Sequence, residues 1–190
     1  EPMANLRDIK QRIGSVKSTQ QITRAMKMVA AAKLRKAQQN LTKTRPYATE
    51  LRRLVDHLSS RSKLHQNPFF QRRPNGRRCY VVITSDRGLC GSFNTDLIRM
   101  MQNELDEHKN EAWCLMTVGK KGYNFFRAHD YPVSAKRTDF MNHLTFRDAK
   151  QISAFLQKKF LDQTYCQISI VYNEFVSAIN QEPRIVPFLP

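Results

Sequence analysis

From Met3 to Arg45 the chain contains no proline and one glycine, Gly14. So long a run without a breaker dictates a helix, and its apolar pattern dictates what kind. Leu6, Ile9, Ile13 and Val16 recur at spacings of three, four and three, a narrow apolar stripe. Continued, that register lands on the polar Gln20, Thr23 and Lys27, while Ile22, Met26 and Val29 sit one position earlier. Ala30, Leu34, Ala37 and Leu41 return to the first register. A coiled-coil seam along this stripe is therefore weakest in the middle of the rod. About 40 helical residues make a rod of roughly 60 Å, far longer than an ordinary globular helix. So thin a stripe cannot bury itself and calls for a partner helix or an enclosing protein. The run Ala30-Ala31-Ala32 combines high helix propensity with little bulk, so another backbone can come close there.

Charge singles out the same region. The chain carries a formal +16, and residues 1–63 hold 15 Lys+Arg against 4 acids, a net +11. Nine of those cations surround the stripe: Arg7, Lys10, Arg12, Lys17, Arg24, Lys27, Lys33, Arg35 and Lys36. A solvated helix normally mixes signs, so this excess points to nucleic acid, anionic lipid or an acidic protein. A nucleic-acid role would rest on phosphate contacts. Against it, the helix lacks the interleaved aromatics of single-strand binders and carries no zipper beyond a basic region. No stretch approaches the roughly 20 apolar residues needed to span a bilayer, and no signal peptide is visible at the start.

Pro46 is expected to end or kink the rod, with a second helical segment from Tyr47 to Leu58. Residues 59–78, rich in Ser, Arg, Pro and Asn, read as a linker. Beyond them the grammar changes. The pattern predicts strands at Cys79–Thr84, Ala112–Val118, Pro132–Ser134 and Gln167–Tyr172. Helices are predicted at Asn94–Glu107, Gly122–His129 and Arg147–Leu161. Arg184–Leu189 is expected to return along Gln167–Val176 as a hairpin. The fold class is thus α/β: a long N-terminal coiled-coil helix, then a Rossmann-like, mostly parallel sheet with helices on both faces. The expected divisions are residues 1–63 for the basic helix, 64–78 for a linker and 79–190 for the α/β domain.

Sites of chemistry are sparse. Gly88-Leu89-Cys90-Gly91 lies between a strand and a helix, where α/β folds bind phosphate, yet it matches neither glycine-rich nucleotide template. Val118-Gly119-Lys120-Lys121-Gly122 fails both as well. A tight turn presenting Asp86, Arg87 and Asn94 at a contact surface is the better reading. Cys90 at a helix start has the position of an activated thiol but no recognisable base, since the five histidines fall in no motif. The spacing of Cys79, Cys90, Cys114 and Cys166 fits neither a disulfide scaffold nor a zinc site, so reduced, mostly buried thiols are expected. No catalytic residue, cofactor or metal is expected.

Several ordered segments nevertheless resemble one family. Leu6-Arg7-Asp8-Ile9-Lys10-Gln11-Arg12-Ile13 and Gln21-Ile22-Thr23-Arg24-Ala25-Met26-Lys27-Met28-Val29-Ala30-Ala31-Ala32-Lys33 resemble the opening helix of the gamma subunit of F-type ATP synthases. Further along, Thr84–Asn94, Gly119-Lys120-Lys121-Gly122-Tyr123, and Tyr172-Asn173-Glu174-Phe175 leading to Gln181-Glu182-Pro183 match it in the same order.

The resemblance implies a non-catalytic rotor subunit of the central stalk. In that family the first helix pairs with a C-terminal helix as an antiparallel coiled coil inside a hexamer of alpha and beta subunits. The α/β domain meets the epsilon subunit and the membrane rotor ring. Ion-driven rotation then couples to ATP synthesis and hydrolysis. Carried over by position, Met26 and Val29 fall in the coupling region, with Arg24, Lys27, Lys33, Arg35 and Lys36 toward acidic loops of the beta subunits. Asp86, Arg87 and Asn94 fall in the lower domain as contact residues. The implied location is peripheral, on the cytoplasmic face of a bacterial-type inner or plasma membrane, with the mitochondrial matrix face as alternative. The chain stops at Pro190, short of the family's C-terminal helix, and Met3 matches a native start, so a truncated chain is expected. A basic nucleic-acid-binding module is the competing reading.

Overall fold

A computed structural model describes residues 6–61, 66–139 and 144–190. The expected helix start at residues 3–5 and the linker residues 62–65 lie outside the described residues. The chain divides into two compact units, Glu1–Ser62 and Lys63–Pro190, each described by itself.

The first unit is one helix, α1, Leu6–Arg61, of 56 residues. At about 1.5 Å per residue it extends roughly 84 Å. Pro46 does not end it, contrary to expectation. Proline removes one backbone donor, leaving the Thr42 carbonyl without its usual partner, at a cost of about 3 kcal/mol. That penalty is local, and strong helix formers on both sides carry the helix through. Threonine hydroxyls in α1 are satisfied within it: Thr19 donates to the Ser15 carbonyl at 2.9 Å and Thr23 to the Thr19 carbonyl at 2.8 Å. Thr42 and Thr49 donate in the same way to Gln38 and Arg45, on either side of the proline. The apolar stripe is solvent-exposed throughout, from Leu6, Ile9, Ile13 and Val16 to Leu34 and Leu41.

The second unit contains β1 (Arg77–Ile83), α2 (Phe93–Glu107), β2 (Trp113–Val118), α3 (Lys120–Ala128), β3 (Val133–Arg137), α4 (Phe146–Leu161), β4 (Tyr165–Phe175) and β5 (Gln181–Leu189). Every predicted strand and helix of this region is present, with ends displaced by a few residues. The strand order is β3-β2-β1-β4-β5; all neighbours are parallel except β4 and β5. The chain winds outward from β1 to β3, then crosses back to β4, so the order reverses between β1 and β4. The hairpin is longer than expected, running in register from Ile168↔Leu189 to Phe175↔Gln181.

Alternation along β1 sends successive side chains to opposite faces. Cys79 and Val81 face one layer with Cys114, Met116 and Ile168, covered by Leu156 and Phe160 of α4. Tyr80 and Val82 face the other with Leu115 and Val171, covered by Leu97, Met101 and Leu105 of α2 and Phe126 of α3. Helices thus cover both faces. At the start of α4, Thr145 accepts from the Asp148 amide while Asp148 accepts from the Thr145 amide, a reciprocal cap. The Thr145 hydroxyl, donating to the Asp148 carboxylate at 2.6 Å, and then the Thr145 amide hold that carboxyl below its ordinary value.

Candidate functional site

Beyond the carboxyl end of β1, at the point where strand order reverses, doubly wound sheets place their ligand loops. Here the loop is 84–92. Its geometry explains both glycine-bearing segments at once. The Thr84 amide donates to the Val118 carbonyl at 2.8 Å, and its buried hydroxyl accepts from the Gly122 amide at 2.8 Å. Gly119 has φ of 103°, and a Cβ there would lie 2.1 Å from the Thr84 carbonyl oxygen. Gly122 also packs tightly, though less so, with Thr84 Oγ1 and Cγ2 2.9 Å from where its Cβ would be. Glycine at these positions lets two loops interlock; no phosphate need be invoked.

Asp86 extends the clasp. Its Oδ1 accepts from the Lys120 amide at 2.9 Å and from the Asp139 amide at 3.3 Å. Asn94 closes the loop on itself: Oδ1 accepts from the Ser85 amide at 3.0 Å, and Nδ2 lies 2.9 Å from Ser85 Oγ and 3.1 Å from Cys90 Sγ. Asn173 of β4 donates to the Phe93 carbonyl at 2.7 Å, tying the start of α2 to the sheet. Asp86 and Asn94 are therefore half-buried scaffold, whereas Arg87 is exposed. What the loop shows outward is the tip from Arg87 to Ser92. Leu89 stands fully exposed at φ 61°, a left-handed conformation unusual for leucine. The spacing of the sequence missed Leu89; the flanking Gly88 and Gly91 were its only signal.

Cys90 is exposed, unlike the expectation of mostly buried thiols, because the loop tip carries it outward. Cys79 and Cys114 are buried, paired across β1 and β2, and Cys166 is half-buried. The hydrogen bond to Cys114 and burial push the Cys79 thiol well above its ordinary range. Burial and a 2.9 Å hydrogen bond to Glu104 push the Tyr80 phenol up to about 12. On α3, Tyr123 accepts from Arg127 at 2.6 Å with the Lys136 ammonium 4.3 Å from its ring centre. The Arg127 hydrogen bond, then Lys136, draws that phenol below its ordinary value. Among the described residues no cluster of His, Cys, Asp or Glu is placed to hold a metal ion.

On α1 the remaining predicted residues, Arg24, Met26, Lys27, Val29, Lys33, Arg35 and Lys36, are all exposed; Met26 is 62 % accessible. At about 100° per residue, Ile22, Met26, Val29 and Lys33 share one side. Lys36, seven residues after Val29, borders that same side; Arg24 and Arg35 lie on the opposite side, and Lys27 lies between. Among the predicted groups on the helix, Arg24 and Lys27 line one open groove with Val16, Thr19, Gln20 and Thr23. The helix displays cations on every side of an apolar strip.

The fold and these surfaces define a class: a long, exposed cationic helix joined in sequence to a doubly wound α/β domain, with interlocked glycine loops at its switch point. A family model described as ATP synthase matches residues 5–190. The ATP synthase gamma chain of Amoebophilus asiaticus is 42 % identical over 99 % of this chain and 66 % of its own length. That of Geobacter sp. is 40 % identical with the same coverages. The chain belongs to the ATP synthase gamma chain family. It spans slightly less than two thirds of the length of those two relatives. Among solved structures, the central stalk and c-ring of Tetrahymena thermophila mitochondrial ATP synthase matches with TM-score 0.71 and 27 % identity, over 89 % of this chain and 72 % of that one. A rotor chain of Euglena gracilis mitochondrial ATP synthase, at 22 % identity and TM-score 0.61, covers 97 % of this chain and 62 % of its own and bears on the fold alone. No helix among the described residues is long and apolar enough to cross a membrane.

Proposed function

We propose that the chain is a central-stalk rotor subunit of a rotary ATP synthase, coupling ion-driven rotation to ATP synthesis and hydrolysis. One observation carries this reading: α1 exposes an apolar strip ringed by cations on all sides. A single partner helix covers one side of a rod. Cations on the remaining sides need an acidic sleeve, and a hexamer of alpha and beta subunits supplies one. The strip itself takes a second helix in an antiparallel coil.

On this reading residues 1–63 are half of the shaft, and the expected linker 64–78, whose Phe69 packs on the core and whose Arg77 and Arg78 open β1, leads into the domain that meets the epsilon subunit and the membrane rotor ring. Arg24, Met26, Lys27, Val29, Lys33, Arg35 and Lys36 face the sleeve. Arg87 offers a contact in the lower domain, with Asp86 and Asn94 holding its loop in shape. The subunit is non-catalytic and peripheral, on the cytoplasmic face of a bacterial-type membrane, the mitochondrial matrix face being the alternative.

Met26→Lys in the assembled complex tests the placement. A further cation on the apolar side should weaken coupling between ATP hydrolysis and ion pumping more than hydrolysis itself. Unchanged coupling removes Met26 from the coupling surface. Failure to co-assemble with alpha and beta subunits, together with steeply salt-dependent DNA binding, would instead favour a nucleic-acid-binding module.

A further inference from the structure

Helix α3 turns Gly122 and Phe126 into the domain. At about 100° per residue, Lys120, Tyr123 and Arg127 then share its other side, at spacings of three and four. The two cations are exposed and Tyr123 is half-buried. Strand β3, the edge of the sheet away from β5, adds the exposed Lys136 and Arg137. Lys136 Nζ stands 4.3 Å from the centre of the Tyr123 ring, and Arg127 Nη1 donates to the Tyr123 hydroxyl at 2.6 Å. Helix and strand thus bring two cations onto one phenol. Residues 119–137 hold five Lys+Arg against one acid, Asp130, a net +4. Asp130 follows the last turn of α3, at the opposite end from Lys120. No ion pair among the described residues involves any of the five cations. Elsewhere in the domain Arg78 pairs with Glu111, Lys159 with Asp162, and Arg184 with Glu174 and Glu182.

We propose that this face of α3 and β3 docks the acidic surface of a second protein, with Tyr123 at its centre. Like charges gathered without an acid repel one another, and a carboxylate set between Arg127 and Lys136 offsets that repulsion through charge-assisted hydrogen bonds. Tyrosine and arginine are also the side chains that dominate the centres of protein interfaces. Tyr123 already holds both cations in place, so little side-chain freedom is lost on docking. A lipid surface fits less well, because it takes apolar side chains beside the cations and no large apolar residue between 119 and 137 is exposed. The proposal rests on the reading of the chain as a rotor subunit, the acidic partner being a neighbour in that complex.

Carbodiimide treatment of the assembled complex tests it. The reagent activates a carboxylate, and a lysine amine within reach displaces it as the urea, leaving an amide. Amides from Lys120 or Lys136 to Asp or Glu of another subunit are expected. Arg127→Glu combined with Lys136→Glu should cut those from Lys120 about tenfold, while the melting of the α/β domain stays put. If that paired variant melts lower, Arg127→Gln decides by the same readout. Lys150→Glu, exposed on α4, should leave the amides unchanged; an equal loss there is net charge alone and overturns the face. Amides from lysines of α1 with none from Lys120 or Lys136 overturn this face and leave the rotor reading standing. A chain that does not assemble overturns both. Retention on phosphatidylserine vesicles or duplex DNA that the paired variant loses, with no amide to a protein, gives the face to lipid or nucleic acid and overturns the proposal.

Discussion

The two units of this chain solve opposite problems. The α/β domain hides its apolar side chains on both faces of one sheet, and two of its glycines, Gly76 and Gly119, are hemmed in by backbone with no room for a Cβ. Helix α1 hides almost nothing, and Gly14 has open space around it. In the domain a residue's identity is set by contacts within the chain. In α1 it is set by helix propensity and by whatever surrounds the rod. The same residue type therefore carries different information in the two places, and substitutions can separate them.

The largest effect is expected at Gly119→Ala. A methyl group 2.1 Å from the Thr84 carbonyl, at φ 103°, forces the interlocked loops apart. A loss of more than about 3 kcal/mol is expected, read by denaturant unfolding. A variant of wild-type stability would mean that the domain's loops are as tolerant as the rod.

Tyr80 comes next, through pH. Its folded phenol is raised to about 12 from an ordinary 10, so the protonated form is favoured by folding. The stability this gives is fully present below pH 10 and is lost as pH rises toward 12. Its size is at most about 2 kcal/mol once solvent screening is allowed for. Tyr80→Phe should flatten unfolding stability across that window; an unchanged alkaline slope would assign it to other groups.

Gly14→Ala should have the smallest effect and the opposite sign. With nothing within 4 Å, alanine adds only propensity, about 1 kcal/mol in favour of helix. Amide exchange around residue 14 should slow about fivefold while the melting of the α/β domain stays put. A shift in domain melting would show that the two units are not energetically separate.

How far the sequence could be read follows the same division. Cys79–Thr84 announced a buried strand, found at Arg77–Ile83, because its apolar run needs nothing outside itself. The stripe of α1 was legible for the same reason. The start of α3 was not: it was expected at Gly122 and lies at Lys120. What fixes it is Thr84, far away in sequence, whose hydroxyl accepts from the Gly122 amide and whose carbonyl crowds Gly119. The roles of Asp86 and Asn94 were blurred likewise. Both looked like contact residues by composition, and only partners at Lys120, Asp139 and Ser85 show that their side chains are occupied inside the clasp. Pro46 failed in the other direction, since a local rule predicted a break that a long, favourable helix overrides.

The sheet's two edges carry a last consequence. One edge is β3, five residues long and ending in Lys136 and Arg137; the other is β5, interrupted by Pro183 and Pro187. An open edge is a template on which a second molecule can add a strand. Short length and charge block one side, and prolines without N–H groups interrupt the other. A chain that shows so much bare apolar helix to solvent thus offers little purchase for strand addition at either edge of its sheet.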